Sequence, residues 1–251
     1  MNGNLLINRQ DRILRITLNR PEKRNALSFE LCHELVNELR SAEDDAGITA
    51  ILLDANGPSF CTGMDLDQVL AHGAAEHAGI HEELFTIGSR YPKPIVAAVQ
   101  GAAVAGGTGL VAQAHIVVAA EDAQFGLTEI RLSLWPFTIF RAVSAAIGER
   151  RALELSLTGR LVSARDAWQW GLVHYLAPAE KLPERALEVA NLLASYSPTA
   201  IDRGMAFAQD TRGLSWKRAG ELIADYRKEA YESSDFAAGV RAFLEKRGNR
   251  A

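Results

Sequence analysis

Cysteine is scarce: Cys32 and Cys61 are the only two in 251 residues, enough for one bridge at most. A disulfide-built scaffold is excluded on that count. Charge of one sign is also lacking, since a formal net charge of −4 leaves no basic footprint for nucleic acid or an anionic membrane. No apolar run reaches the roughly 18 residues a membrane helix needs. The opening MNGNLLINRQD holds no apolar core of signal-peptide length. Strict repeats and low-complexity linkers are missing too. A soluble chain in a cytoplasmic, reducing compartment is the expectation. What is present, 48% apolar and 23% charged residues, is ordinary globular composition. It suits one large domain, or a domain with an appendage.

Strand and helix signals alternate early. Residues 4–8 and 12–18 read as a hairpin around Arg9-Gln10-Asp11, ended by Asn19-Arg20-Pro21 because Pro withholds a ladder donor. A charged loop, Glu22 to Ala26, leads to Ser28 as N-cap of a helix whose apolar stripe is Leu31, Leu35, Val36 and Leu39. Ala50 to Leu53 is a continuous apolar run, as in a strand buried on both faces. Residues 59–66, SFCTGMDL, form a small-residue turn. Residues 67–90 are weakly helical, since Gly73, Gly79 and Gly88 each cost about 1 kcal/mol against Ala, and mobility is expected there. Later come a helix over 141–158, one over 164–170 capped by Ser163, and a short strand at 173–176. Helices over 180–196, 198–211, 215–231 and 234–247 close the chain. The pattern predicts an α/β core over residues 1–195 and a helical region over 196–251.

The stretch from Pro94 to Ile130 carries the chemistry. It reads as strand, glycine turn, short helix, strand and turn, ending on Glu129. Gly106 and Gly107 stand where the helix ending near Ala114 begins, and its first N–H groups have no intrahelical partner. Such donors beside an acid are a starting kit for chemistry on a carbonyl. Glu129 has Leu127, Ile130, Leu132, Leu134, Trp135 and Phe137 around it, with Arg131 as its nearest possible ion-pair partner. Apolar surroundings raise a carboxyl pKa and suit a proton shuttle, whereas a surface glutamate at a strand end is the plainer alternative.

Other motifs are weaker. Gly107-Thr108-Gly109-Leu110-Val111-Ala112 fits the G-x-G-x-x-A dinucleotide pattern, but Glu121 comes too early to serve as its ribose-binding acid. His77 and His81 share helical i, i+4 spacing without the metalloprotease glutamate, so a solvated face is the simpler reading. His115 lies between apolar stretches, as a hydrogen-bonded, semi-buried residue would. Cys61 has no base partner in the sequence and reads as a small hydrophobe.

Ordered blocks along nearly the whole chain resemble the crotonase superfamily, the enoyl-CoA hydratase/isomerase group. They include Leu18-Asn19-Arg20-Pro21-Glu22-Lys23-Arg24-Asn25-Ala26-Leu27, Phe60 to Leu66, Lys93 to Gly101, Ala105-Gly106-Gly107, Ala123 to Gly126, Leu157 to Arg160, Gly171 to Val173 and Phe243 to Arg247. The resemblance implies an α/β spiral of β-β-α units with a C-terminal helical trimerisation region, and homotrimers often paired into hexamers. It also implies an acyl-CoA thioester substrate and no separate cofactor, since coenzyme A is part of that substrate. Met64 and Gly106 fall at the family's two oxyanion-hole donors. Coenzyme A contacts fall on Lys23, Arg24, Ala26, Thr62, Asp65 and Leu66, with Phe243 and Lys246 reaching a neighbouring subunit.

Departures from the family's pattern bear on the reaction. Hydratases of the group carry a glutamate where this chain has Gly109, and a second one at the position of Glu129. A single glutamate at the latter position resembles Δ3,Δ2-enoyl-CoA isomerases. His115 stands where an Asp is frequent. Trp135-Pro136-Phe137 replaces a glycine-rich loop, and Trp135 and Phe137 are expected to shape the acyl pocket beside Gly109. Double-bond isomerisation with Glu129 as sole acid/base is the leading expectation. Enoyl-CoA hydration and acyl-CoA binding without turnover are its rivals.

Overall fold

A computed structural model describes residues 3–72 and 78–248. They fall into two compact units, divided between Ala194 and Ser195. The first opens with β1 (Leu5–Gln10) and β2 (Ile13–Leu18), paired antiparallel. Asp11 turns between them at φ 51°, a left-handed conformation that Asp tolerates better than most residues. Helix α1 (Phe29–Asp44) follows, its N-terminus closed by Ser28, whose Oγ accepts from Leu31 N–H. Next come β3 (Ala50–Ala55), α2 (Leu66–His72), α3 (Ala78–Leu84) and β4 (Ile95–Val99).

From β4 onward the strands are divided between two sheets. β5 (Ala102–Val104) precedes α4 (Gly106–Gln113), and β6 (Ile116–Ala120) runs straight on to β7 (Gln124–Gly126). Then come α5 (Phe137–Ile147), α6 (Glu149–Thr158), β8 (Val162–Ser163), α7 (Ala164–Trp170), β9 (Tyr175–Ala177) and α8 (Leu182–Ala194). One sheet has the order β1-β2-β3-β4-β6-β9, parallel from β2 onward, and a three-stranded sheet has the order β5-β7-β8. Successive turns of chain thus add one strand to each sheet, which is the β-β-α spiral. Strands β4 and β6 are almost wholly buried, which explains their unbroken apolar runs.

Several expectations need correction. The small sheet escapes sequence reading because its strands are two or three residues long, too short for a period-2 pattern. The helix expected over 141–158 is two helices, divided at Gly148 with φ 84°. The last strand lies at Tyr175–Ala177, two residues later than expected, because Leu172 and Val173 are buried beyond the Gly171 cap of α7. His81 is buried against Phe29, with ring centroids 5.7 Å apart, because α3 packs on α1. Its expected i, i+4 mate His77, and part of the segment expected to be mobile, lie outside the described residues.

The second unit is three helices, α9 (Pro198–Asp210), α10 (Trp216–Glu232) and α11 (Ser234–Gly248). Ser197 and Ser215 cap the first two. Neither α9 nor α10 contains a buried residue. A cavity of about 550 Å³ between these helices is lined by Phe207, Ile223, Tyr226 and Phe236 among others.

Candidate active site

Two turns meet at the N-terminus of α4. Backbone bonds lace the 61–64 segment to β5: Cys61 N–H donates to Ala102 O at 3.1 Å, and Val104 N–H to Cys61 O at 3.0 Å. Glycine makes this closeness possible. A Cβ on Gly107 would lie 2.0 Å from the Cys61 carbonyl oxygen, and one on Gly63, at φ 93°, would lie 2.9 Å from Ala105 Cβ. Ala105 enters the helix at φ 51°, ψ −123°, a conformation rarely adopted by an L-residue with a side chain. It is held there by its N–H donating to Gly126 O at 2.8 Å. Thr108 is fully buried; its Oγ1 lies 2.7 Å from Ala103 O and accepts from Gly126 N–H at 3.1 Å. The helix start is therefore pinned to both β5 and β7.

The free donors follow from that pinning. Leu27 bridges Met64: its N–H donates to Gly63 O at 2.7 Å, and its carbonyl accepts from Asp65 N–H at 3.0 Å. Met64 N–H thus points away from Leu27, and neither it nor Gly106 N–H finds an acceptor among the described residues. These two amides sit on abutting turns, since a Cβ on Gly63 would come within 3.3 Å of Gly106 N. Unsatisfied amides at a helix start favour an anionic oxygen.

Glu129 begins a 3-10 turn three residues beyond Gly126. Three residues span at most about 10 Å, which keeps Glu129 near the pinned helix start. Its Oε2 is buried without a hydrogen-bond partner. Burial pushes its carboxyl pKa above the ordinary 4.5, only partly countered by its own backbone N–H. No ion pair joins Arg131 to it among the described residues; the Arg131 side chain lies beside Gly159. A half-buried carboxyl with one oxygen left unpartnered is costly to keep as an anion, so it binds a proton readily.

The loop before α1 is a second cluster. Asn25 is fully buried at φ 54°, its Nδ2 donating to Asn56 O at 2.9 Å and Ser59 O at 2.8 Å, while its Oδ1 accepts from Arg20 N–H. Arg20 pairs with Asp65 at 2.8 Å. Burial alone raises the Asp65 pKa, but the hydrogen bond and charge of Arg20 outweigh it and the net shift is downward. The Asp65 carboxylate is therefore engaged by Arg20 within the protein. Lys23 reaches Asp67 at 2.9 Å on the surface, Arg24 is exposed at φ 50°, and Thr62 Oγ1 donates to Arg24 O. Ala26 is half-buried, and Leu66 is exposed at the start of α2.

Gly109 lies one turn after Gly106, on the same face of α4. A Cβ there would meet Ile139 Cγ2 at 2.3 Å and Phe85 Cε1 at 3.0 Å. The position is filled. Trp135 is half-buried and packs against Phe140 with the rings tilted at 41° and their centroids 5.7 Å apart, and Phe137 is 77% exposed. The side chains closed over Gly109 are thus Phe85 and Ile139 instead. Phe243 and Lys246 lie exposed on α11 of the second unit.

A family model described as enoyl-CoA hydratase/isomerase matches residues 8–250. The chain belongs to the enoyl-CoA hydratase/isomerase family. A Thermus thermophilus relative is 37% identical over 241 residues, spanning 94% of this chain and 95% of that protein. The 2,3-dehydroadipyl-CoA hydratase of Escherichia coli is 32% identical over 251 residues, with 97% and 96% covered. The crystal structure of an enoyl-CoA hydratase from Mycobacterium smegmatis superposes with a TM-score of 0.93 at 29% identity, covering 98% and 97% of the two chains. The fold is therefore the crotonase spiral, and the family acts on acyl-CoA thioesters.

Three residues that organise this family site have no individual role in the sequence reading. Asn25 hides inside a charged loop; its clue is an Asn after Arg20-Pro21, where a left-handed turn is tolerated. Phe85 and Ile139 look like ordinary core residues, and no spacing pattern tells them apart from the rest.

Proposed function

We propose that the chain is an enoyl-CoA isomerase that shifts a double bond with Glu129 as its only acid/base. The observation carrying this reading is the packing at Gly109, where Ile139 and Phe85 take the space a second carboxylate would need. The thioester carbonyl oxygen sits between Met64 N–H and Gly106 N–H. The Glu129 carboxylate takes a proton from C2 of a 3-enoyl-CoA, and the C2 electron pair delocalises onto the thioester oxygen as a dienolate. That charge collapses back through C2 and C3 while C4 takes the proton from Glu129. The double bond then lies between C2 and C3, and the carboxylate is restored with nothing gained or lost. One oxyanion donor is worth about 3 kcal/mol in such a step. A raised carboxyl pKa suits both halves of the transfer.

Lys23 and Arg24, with Ala26, Thr62 and Leu66, are the proposed contacts for coenzyme A, and Phe243 and Lys246 would serve a neighbouring subunit. Trp135 and Phe137 are proposed to bound the acyl tail. The second reading, hydration of a 2-enoyl-CoA, draws on relatives such as the 2,3-dehydroadipyl-CoA hydratase of E. coli. Turnover of a 3-enoyl-CoA and of crotonyl-CoA, followed separately in D2O, tests the choice. Isomerisation with deuterium carried into product supports the proposal. Hydration of crotonyl-CoA without isomerisation would falsify it. Tight binding of both esters without turnover favours a silent member.

A further inference from the structure

We propose that Ile139 and Phe85 are specificity determinants, a dry wall that keeps nucleophilic water from the reacting carbons and confines the site to proton transfer. The inference rests on the single-acid reading above. Ile139 is 2% exposed and Phe85 is 4% exposed, so both side chains are fixed by packing. Phe85 borders two functional positions at once: its Cε1 would stand 3.0 Å from a Cβ on Gly109, and its Cζ 3.2 Å from a Cβ on Gly106. Its backbone is held from both sides, with its N–H donating to His81 O at 2.9 Å and its carbonyl accepting from Gln113 Nε2. Leu27 Cδ1 completes the apolar lining at 3.2 Å from the Gly106 Cβ position.

An ordered buried water needs about two to four polar partners. The wall supplies none. Ile139, Phe85 and Leu27 present carbon alone, and Gly109 brings no side chain. These three side chains therefore offer a water beside the thioester no group to orient or deprotonate it. Glu129 can still exchange a proton with carbon, because that step needs no second nucleophile. The wall also makes the glycine compulsory: with Ile139 in place, any side chain at 109 collides with backbone-anchored atoms.

The test combines turnover with a stability cycle. In the first arm, the ratio of hydration to isomerisation is measured for wild type, Ile139→Val, Ile139→Ala and the pair Gly109→Glu/Ile139→Ala. The wall predicts that the ratio rises along the series, by about tenfold or more for Ile139→Ala. The paired variant is expected to hydrate crotonyl-CoA. In the second arm, the shift in urea midpoint caused by Gly109→Ala is compared in wild-type and Ile139→Ala backgrounds, and it should shrink to less than half in the latter. Ile139→Val serves in both arms should Ile139→Ala fold poorly.

Each outcome decides something. If wild type isomerises but the ratio stays flat, the wall is overturned and the isomerase reading stands. If wild type hydrates with Ile139 in place, both fall. If wild type turns over neither ester, the isomerase reading falls alone, and the wall stands or falls with hydration by the paired variant. An equal midpoint shift in both backgrounds overturns the claim that Ile139 fills the position.

Discussion

Two half-buried titratable side chains respond to pH in opposite directions. Glu129 has a folded-state pKa above 4.5, so the native protein holds a proton that the unfolded chain has released. The unfolded state then binds fewer protons, and stability contributed below pH 4.5 is lost as pH rises through the folded value. Glu129→Gln removes that loss. We expect turnover to fall by about 10²–10⁴ while thermal stability rises, most at the alkaline end, in paired activity and melting measurements. A variant as active as wild type would remove Glu129 from the chemistry. His115 runs the other way. Burial lowers its pKa to about 4, and its Nδ1 accepts from Ile95 N–H at 3.0 Å. The unfolded imidazole protonates first as pH falls, so stability is lost between pH 6.5 and about 4. His115→Gln keeps an acceptor that does not titrate, and its urea midpoint should stay flatter across that window.

At the scale of elements, the junction of the 61–64 turn with α4 admits no added atoms. Gly107→Ala would place a Cβ 2.0 Å from the Cys61 carbonyl, on backbone that hydrogen bonds hold to β5. The expected loss is at least about 1–3 kcal/mol by denaturant titration, together with reduced turnover as the Gly106 amide shifts. A silent Gly107→Ala would mean that the junction yields freely. This scale also shows where sequence reading succeeds. The apolar runs Ala50–Leu53 of β3 and Ile95–Val99 of β4 are legible because burial on both faces leaves no polar residue within them. Serine caps are legible because one hydroxyl answers one orphan amide, as at Ser28 and Ser163. Strands β5, β7 and β8 are not, since their pairing is decided by a distant segment and not by local pattern.

For the whole molecule, the two-unit division lies close to the change from mixed to purely helical signal, and the two turns that meet at α4 are legible as small-residue clusters. What stayed hidden was tertiary: which core residues face Gly109, and that Asp65 is taken by Arg20. The helical unit leaves large apolar side chains uncovered, with Trp216 at 94% and Phe243 at 66% exposed. Uncovered apolar surface of this kind marks an interface. We expect trimers or hexamers by sedimentation at micromolar concentration. A monomer there would count against the proposal that Phe243 and Lys246 serve a neighbour's site.

The two cysteines, set aside at the outset as too few to matter, give the protein an internal clock. Both are free and buried, and burial lifts each thiol to about 12, so almost no thiolate exists at neutral pH. An alkylating reagent can reach Cys61 only when the turn carrying Met64 separates from β5, because the two are laced through Cys61 itself. The rate of Cys61 labelling, read by mass spectrometry, therefore times how frequently the thioester site comes apart. A bound acyl-CoA should slow that labelling while leaving the Cys32 rate nearer to that of global unfolding.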